Sequence, residues 1–213
     1  NSSIGIKAMD SGLIIKKQAP DDKVIALAGN PNVGKSTVFN GLTGMSQHTG
    51  NWPGKTVANA QGYCSTPNHT YVMVDIPGTY SLMAHSAEEE VARNFICFGD
   101  SDAVVVVCDA TCLERNLNLV LQILEITPKV LVCINLMDEA KRKKIRIDLP
   151  GLSKKLGVPV VSTIARRKKS LTHLLESLDS VIDSSLPVSP LKTHYSEEIE
   201  KSISIIEPAV KMA

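Results

Sequence analysis

The sequence feature that most constrains the fold is a glycine-containing loop between an apolar segment and a helical one. Residues 29–36 read GNPNVGKS and fit the pattern G-x-x-x-x-G-K-[ST]. The apolar run at residues 24–28 predicts a buried strand before the loop, and residues 37–42 predict a helix after it. In that setting, backbone N–H groups and the start of the helix surround phosphate oxygens. The sequence therefore predicts a binding site for a nucleoside phosphate.

Two side chains of this loop have specific predicted roles. Lys35 supplies a positive charge to the phosphates, and the Ser36 hydroxyl supplies an oxygen ligand for Mg²⁺. The predicted nucleotide-binding residues of the loop are Gly29, Asn30, Pro31, Asn32, Val33, Gly34, Lys35, Ser36 and Thr37.

A second apolar segment, residues 71–74, ends in the motif D-x-x-G. The carboxylate of Asp75 is an oxygen ligand of the kind that Mg²⁺ takes, and the N–H of Gly78 can reach a γ-phosphate. A strand-ending turn would explain this short pattern equally well on its own, but the preceding phosphate loop makes it specific. We therefore predict that Asp75, Ile76, Pro77 and Gly78 line the nucleotide.

A third apolar segment, residues 130–134, ends in the motif N-x-x-D. A carboxylate at Asp138 can accept hydrogen bonds from guanine N1–H and the exocyclic amine together, a pairing that adenine lacks. Asn135 is predicted to brace the loop. The alternative is a plain strand end in which Asp138 caps a helix. The motif predicts a guanine site at Asn135, Leu136, Met137 and Asp138, with weaker binding because Leu136 stands where lysine is commoner.

Two more loops complete the predicted site. Residues 50–54 have little helix or strand character and predict a mobile loop. Thr56, which follows it, is predicted to complete the Mg²⁺ shell and to meet the γ-phosphate, with Thr49 as the nearest alternative. After the last predicted strand, the Ala165 N–H is predicted to reach the guanine carbonyl beside Ile164. The earlier loop contributes Gly54, Lys55, Thr56 and Val57.

Together these motifs resemble the N-terminal G domain of the ferrous iron transport protein B (FeoB) family, among the Era/TrmE-like GTPases. The strings that carry the resemblance are GNPNVGKST at 29–37, GNWPGKTV at 50–57, DIPGTYSL at 75–82 and NLMD at 135–138. The second and third are the more particular to this family. The resemblance covers residues 23–178, and residues 195–200 resemble the start of the family's helical domain. It departs at Leu136 and Ile164, where the family often has Met and Ser.

The resemblance implies a Mg²⁺-dependent GTPase with a slow intrinsic rate that regulates Fe²⁺ uptake through a downstream membrane domain, at the cytoplasmic face of the bacterial inner membrane. Its implied partners are GTP or GDP, the helical domain and that membrane domain. The glutamine that orients water in Ras-like enzymes is replaced by Thr79 and Tyr80. Related GTPases hold a K⁺ ion with an asparagine that Asn32 matches; the alternative is that Asn32 only stabilises the turn. The predicted catalytic residues are Asn32, Lys35, Thr56 and Gly78, and the predicted metal ligands are Ser36, Thr56 and Asp75 for Mg²⁺ and Asn32 for K⁺.

Composition limits the alternatives. A net charge of +1 and an aromatic content of 4% give no case for a nucleic acid partner. The longest apolar run, residues 103–108, is far shorter than the roughly 20 residues needed to span a membrane. Two alternatives stay open: a soluble Era/TrmE-like GTPase of RNA or ribosome maturation, and a nucleotide-gated binding module with negligible turnover.

The order of strands and helices predicts an α/β fold, a Ras-like P-loop GTPase with a six-stranded, mostly parallel sheet and helices on both faces. A partial C-terminal helical appendage should follow. Strands are predicted near residues 24–29, 56–64, 69–75, 103–108, 129–135 and 158–163, and helices near 36–43, 88–98, 113–126, 149–156 and 170–183. The expected division is an N-terminal extension (1–22), a G domain (23–180), and a linker with the start of a helical domain (181–213).

Overall fold

The structure, a computed structural model, describes residues 4–7, 13–44, 47–83, 85–185, 188–192 and 195–211. Its strands are β1 (Ile4–Lys7), β2 (Ile14–Lys17), β3 (Lys23–Gly29), β4 (Gln47–Asn51), β5 (Ala58–Ser65), β6 (Thr70–Asp75), β7 (Ala103–Asp109), β8 (Val130–Asn135) and β9 (Val160–Ser162). Its helices are α1 (Lys35–Thr43), α2 (Ala87–Phe98), α3 (Leu113–Ile126), α4 (Met137–Arg142), α5 (Leu149–Leu156), α6 (Lys168–Ile182) and α7 (Glu197–Lys211).

The central sheet has seven strands in the order β4-β5-β6-β3-β7-β8-β9. Strands β6, β3, β7, β8 and β9 run parallel, and β5 pairs antiparallel with β6. A turn at Pro67 and Asn68 joins β5 to β6, and there the Thr66 N–H donates to the His69 carbonyl at 2.9 Å. The predicted α/β architecture is therefore confirmed.

The prediction of six strands was wrong by one, because β4 had no signal in the sequence. Its residues, QHTGN, carry no alternation of apolar side chains. Backbone pairing with β5 forms it nevertheless, from Gln47 opposite Gly62 to Asn51 opposite Ala58. Gly50 and Asn51, predicted to belong to a loop, are the end of this edge strand.

Helices cover both faces of the sheet because the parallel strands are apolar on both sides, as expected for a buried parallel sheet. Ala26 and Ala28 of β3 face the side covered by α2, α3 and α5, while Ile25 and Leu27 face α1 and α6. All four side chains are at most 1% exposed. The sheet is thereby fixed between two layers, and the loops at its carboxyl edge are presented on a rigid base.

The N-terminal residues contribute to the same core, although the sequence indicated no element there. Strands β1 and β2 form an antiparallel hairpin, and Leu13 and Ile15 are buried on the α2 and α3 side. The Tyr63 hydroxyl donates to the Lys16 carbonyl at 2.6 Å. The proposed domain boundaries remain a prediction.

At the other end, α7 is a largely exposed helix. The hydroxyl of Tyr195, just before it, hydrogen-bonds both carboxylate oxygens of Glu125 on α3 at 2.8 Å. Leu186 and Pro187 of the predicted linker lie outside the described residues. Across the described ranges, every helix is too short or too polar to cross a membrane.

Candidate nucleotide-binding site

The loop between β3 and α1 has a backbone shaped for anions. Asn32 and Gly34 adopt left-handed conformations, with φ of 66° and 80°. Gly34 is the N-cap of α1 and supplies no side-chain bond to the first turn, which contains no acidic residue. The N–H groups that begin the helix therefore have neither a capping side chain nor a carboxylate competing for them. A Cβ at Gly34 would lie 2.5 Å from Nδ2 of Asn135, so only glycine fits there.

This loop and the D-x-x-G segment form one cavity of about 520 Å³. Gly78 lies against the loop, since a Cβ there would be 3.3 Å from both N and Cα of Pro31. The Thr79 N–H donates to the Gly29 carbonyl at 3.1 Å and ties the two segments together. The cavity is lined by Asn30, Pro31, Asn32, Gly34, Lys35, Ser36, Thr37 and Gly78. Two motifs separated in sequence thus meet at this cavity, although of residues 75–78 only Gly78 is among its described lining residues.

Lys35 and Asp75 form an ion pair beside this cavity. The side chains are only 10% and 18% exposed. Burial raises the pKa of the Asp75 carboxyl, and the nearby Lys35 ammonium opposes that rise. Each group therefore neutralises the charge of the other. The Asp75 carboxylate and the Ser36 hydroxyl are both oxygen donors of the kind that Mg²⁺ prefers.

A smaller cavity of about 150 Å³ adjoins the first and shares Thr37 with it. It brings the N-x-x-D motif and the loop after β9 together, as the sequence predicted. Its lining is Thr37, Asn135, Leu136, Asp138, Glu139, Arg142, Ile164, Ala165 and Arg166. Glu139, Arg142 and Arg166 were not among the predicted site residues, since nothing in the motif pattern singles them out. Leu136 is the N-cap of α4 and has a left-handed φ of 60°. Met137 and Asp138 therefore lie in the first turn of this helix.

Asn135 holds the two cavities together through a buried carboxamide. Its Nδ2 donates to the Val33 carbonyl at 3.1 Å, and its Oδ1 accepts from the Thr163 hydroxyl and the Ala165 N–H, both at 3.2 Å. The predicted bracing contacts are therefore present. Thr163, which the sequence analysis missed, also contacts Sγ of Cys133 at 3.1 Å. Its only sequence signal is its place two residues before Ala165.

The segment from Gly54 to Val57 does not line either cavity. Trp52, before it, is buried at 3% exposure and packs edge-on against Phe95 of α2, with 5.3 Å between ring centroids. Lys55 Nζ lies 2.7 Å from Oε2 of Glu90 on the same helix. Thr56 is exposed, and so is its alternative Thr49 on β4. The structure thus holds this predicted part of the site against α2 rather than over the phosphates.

Helix α2, which Trp52 and Lys55 contact, begins with ordinary helix-capping interactions. Ser86 is the N-cap of α2, and its hydroxyl accepts from the Glu89 N–H at 3.2 Å. Three glutamates, residues 88–90, occupy the first turn, where negative charge is favourable. A carboxylate is therefore placed within reach of Lys55 by ordinary helix-capping chemistry.

A Ras-like sheet with a phosphate loop, a D-x-x-G turn and an N-x-x-D turn at one edge defines a GTPase-type G domain. The chain belongs to the FeoB family: the family model described as ferrous iron transport protein B matches residues 23–178. The resemblance drawn from the motifs is therefore confirmed.

Similar proteins have been characterised by sequence and by structure. The Fe(2+) transporter FeoB of Salmonella typhimurium is 43% identical over 159 residues, which cover 73% of this chain and 21% of the relative. The cytosolic domain of the T. maritima FeoB iron transporter superposes in a GDP form with a TM-score of 0.83 and in a GMPPNP form with 0.82. Both are 38% identical and cover 89% of this chain and 74% of that domain. The chain thus spans about a fifth of the curated relatives' length.

Proposed function

We propose that this chain binds GTP and GDP and hydrolyses GTP, as the G domain of a Fe²⁺ transporter. The observation that carries the proposal is the pair of adjoining cavities, one lined by phosphate-loop residues and the other by Asp138. The GDP and GMPPNP forms of the T. maritima domain support the same ligand class. Nucleotide state would then regulate Fe²⁺ passage through a membrane domain, with this chain on the cytoplasmic face and a helical domain between them.

Binding of the phosphates requires Lys35 to leave its present partner. The Lys35 ammonium is paired with Asp75 in the free protein, and phosphate oxygens offer it a stronger set of acceptors. Asp75 is released at the same time. It is then available to hold Mg²⁺ with the Ser36 hydroxyl, and a bound Mg²⁺ neutralises charge on the β- and γ-phosphate oxygens. Residues 29–37 and 75–78 hold the phosphates, and Asn135, Leu136, Met137, Asp138, Ile164 and Ala165 surround the base.

Thr56 can join this set only if its segment leaves α2. We propose that the γ-phosphate draws residues 54–57 toward the phosphate cavity, where Thr56 supplies a hydroxyl to Mg²⁺ and an N–H to the phosphate. The movement breaks the Lys55–Glu90 ion pair and disturbs the Trp52–Phe95 contact. The two nucleotide states would therefore differ in the exposure of α2.

Hydrolysis in this site proceeds without a glutamine, which accounts for the slow intrinsic rate that we propose. The Gly78 N–H and the backbone around Thr56 orient water and the γ-phosphate. Asn32 lines the phosphate cavity with an exposed side chain at a left-handed position, which supports a role in holding K⁺. The charge of that ion would offset the charge on the leaving phosphate oxygen. The proposed activity is therefore K⁺-stimulated.

One observation favours a second candidate, a nucleotide-gated binding module with negligible turnover. The Thr79 hydroxyl donates to the Ser81 carbonyl at 2.6 Å and is buried, so it is already engaged. Tyr80 lies under the guanidinium of Arg115 at 4.9 Å. Neither side chain that replaces the glutamine is free to orient water in this conformation.

Single-turnover hydrolysis of GTP and of ATP with Mg²⁺ and K⁺ tests both candidates. We expect GTP to be cleaved and ATP to be cleaved far more slowly. Lys35→Ala should lower the GTP rate by roughly 100-fold, as the loss of a charge-stabilising group does in other enzymes. Lys129→Ala is the control, because it removes an exposed lysine just before β8, at the amino ends of the parallel strands. Equal rates for the two nucleotides would reject the proposal, and tight GTP binding without turnover would favour the binding module.

A further inference from the structure

Asn30 is buried in the phosphate loop with its polar atoms unpaired. The side chain is 1% exposed, and neither Nδ2 nor Oδ1 has a hydrogen-bond partner among the residues that the structure describes. Buried carboxamides are nearly always satisfied in folded proteins, because an unpaired one carries its full desolvation cost. In this conformation the Asn30 carboxamide therefore carries a desolvation cost that no hydrogen bond offsets.

Two other asparagines show that this arrangement is particular to Asn30. Asn116 and Asn135 are also 1% exposed. Asn116 accepts from the Asp109 N–H at 2.6 Å, and Asn135 makes the three bonds that join the cavities. Asn116 and Asn135 are thus as buried as Asn30, but both have hydrogen-bond partners.

The backbone after Asp75 passes directly by Asn30. Thr79 donates its N–H to Gly29, and Gly78 lies against Pro31, so this backbone contacts the residues on both sides of Asn30. Asn30 also lines the phosphate cavity together with Gly78. A shift of the Gly78 N–H toward a γ-phosphate would also displace the neighbouring Thr79 peptide, whose N–H donates to the Gly29 carbonyl. Backbone groups are then freed beside a carboxamide that offers both a donor and an acceptor.

We propose that Asn30 is a positioning residue that holds the backbone of residues 76–81 in its γ-phosphate-bound conformation. This inference rests on the proposed function. Its hydrogen bonds form in the triphosphate state and are absent from the free state. An interaction made in one state stabilises that state alone, so Asn30 raises affinity for the triphosphate relative to the diphosphate. Without the triphosphate, the Asn30 carboxamide stays buried and unpaired, which is unfavourable.

The test compares the same substitution at two equally buried asparagines. Asn30→Leu keeps most of the side-chain volume and removes both polar atoms, and Asn116→Leu does the same where a bond exists. We expect Asn116→Leu to lower the Tm of the free protein, because it leaves the Asp109 N–H unpaired. Asn30→Leu should leave the Tm equal or higher. By calorimetry, it should weaken GMPPNP binding about tenfold more than GDP binding, the factor that one or two hydrogen bonds account for.

Three results would overturn the inference. These are an Asn30→Leu variant that folds but has its Tm lowered as much as Asn116→Leu, one that binds GDP and GMPPNP with equally weakened affinity, and one that binds both with unchanged affinity. Asn30→Ser, which keeps a donor and an acceptor, should recover part of the selectivity, and Asn30→Ala should not. This pair decides the question if the leucine variant does not fold. A parent chain that binds neither nucleotide rejects the proposed function as well, whereas a parent that binds both with an unaffected variant rejects only the role of Asn30.

Discussion

The side-chain amide of Asn135 donates a 3.1 Å hydrogen bond to the carbonyl of Val33, joining loops that lie 102 residues apart in sequence. Both residues are buried, so the bond is shielded from water. Because the carboxamide oxygen of Asn135 also accepts from Thr163 and Ala165, one side chain sets the spacing between the phosphate cavity and the base cavity. The relative position of the two cavities is thus fixed by the Asn135 side chain.

Replacing Asn135 with alanine should destabilise the chain and weaken nucleotide binding together. The substitution leaves the Val33 carbonyl and the Ala165 N–H buried without their partner, which should cost about 2–3 kcal/mol in free energy of unfolding. Urea denaturation measures it. Asn118→Ala, an exposed asparagine on α3, is the control. Equal stability of the two variants would show that the bridge contributes nothing.

The pH dependence of Mg²⁺-assisted binding should report Asp75. Burial raises the pKa of this carboxyl above its ordinary value of 3.8, with Lys35 partly opposing the rise. The folded state then binds this proton more tightly than the unfolded chain, so its contribution to stability is present below 3.8 and is lost as pH rises through the folded pKa. Mg²⁺ requires the ionised form, so affinity for Mg²⁺·GDP should fall on acidification through the same window.

Titration calorimetry at several pH values checks this expectation. Asp75→Asn should bind Mg²⁺·GDP weakly at every pH and lose this component of the pH dependence. Asp21→Asn, which changes an exposed aspartate, should follow the parent curve. An Asp75→Asn curve that keeps the parent's slope would assign the titration to another group.

Trp52 should report the nucleotide state by its fluorescence, since it is the single tryptophan of the chain. Its ring is buried against Phe95. The backbone N–H of Trp52 donates to the Val57 carbonyl at 2.8 Å, which closes residues 52–57 into one turn. If Thr56 moves to the γ-phosphate, the ring must move with it.

We therefore expect the emission to shift to longer wavelength with Mg²⁺·GMPPNP and to change little with GDP. Lys55→Ala, which removes the ion pair to Glu90, should let the shift occur at lower GMPPNP concentration. Identical spectra for the free and GMPPNP-saturated protein would contradict the proposed movement of Thr56.

The fold and the site motifs were accessible from sequence because their signals are local. An apolar run followed by a glycine-containing turn identifies a strand end, and three such turns fall at one edge of a parallel sheet. Asp75, Asn135 and Asp138 could therefore be placed at the site before any geometry was known. The family match over residues 23–178 agrees with that placement.

The features that were missed depend on contacts between distant segments. Strand β4 has a polar sequence and exists because β5 offers it a backbone edge. The ion pair of Lys55 with Glu90 spans 35 residues and has no periodic signal. The sequence likewise does not show that the Asn30 carboxamide lacks a hydrogen-bond partner among the described residues. Asn116 is the same type of residue, yet its carboxamide has a partner.

Potassium should accelerate hydrolysis through Asn32. The residue has a φ of 66°, so Asn32→Gly keeps the turn and removes only the carboxamide. We expect the parent to hydrolyse GTP about tenfold faster in K⁺ than in Na⁺, since the ion offsets charge on the leaving oxygen. Asn32→Gly should show one slow rate in both salts with an unchanged Tm. A variant that still responds to K⁺ would place the ion elsewhere.

Calorimetry with GDP, XDP and ADP measures whether Asp138 selects guanine while the Lys35 loop holds the phosphates. The parent should bind GDP and show no measurable affinity for ADP. Asp138→Asn should lose roughly 100-fold in GDP affinity and gain affinity for XDP, because an amide can donate to the xanthine carbonyl where the carboxylate cannot. Glu139→Gln, in the same cavity, should behave as the parent does. ADP binding equal to GDP binding, or an Asp138→Asn variant with parental preferences, would contradict the account.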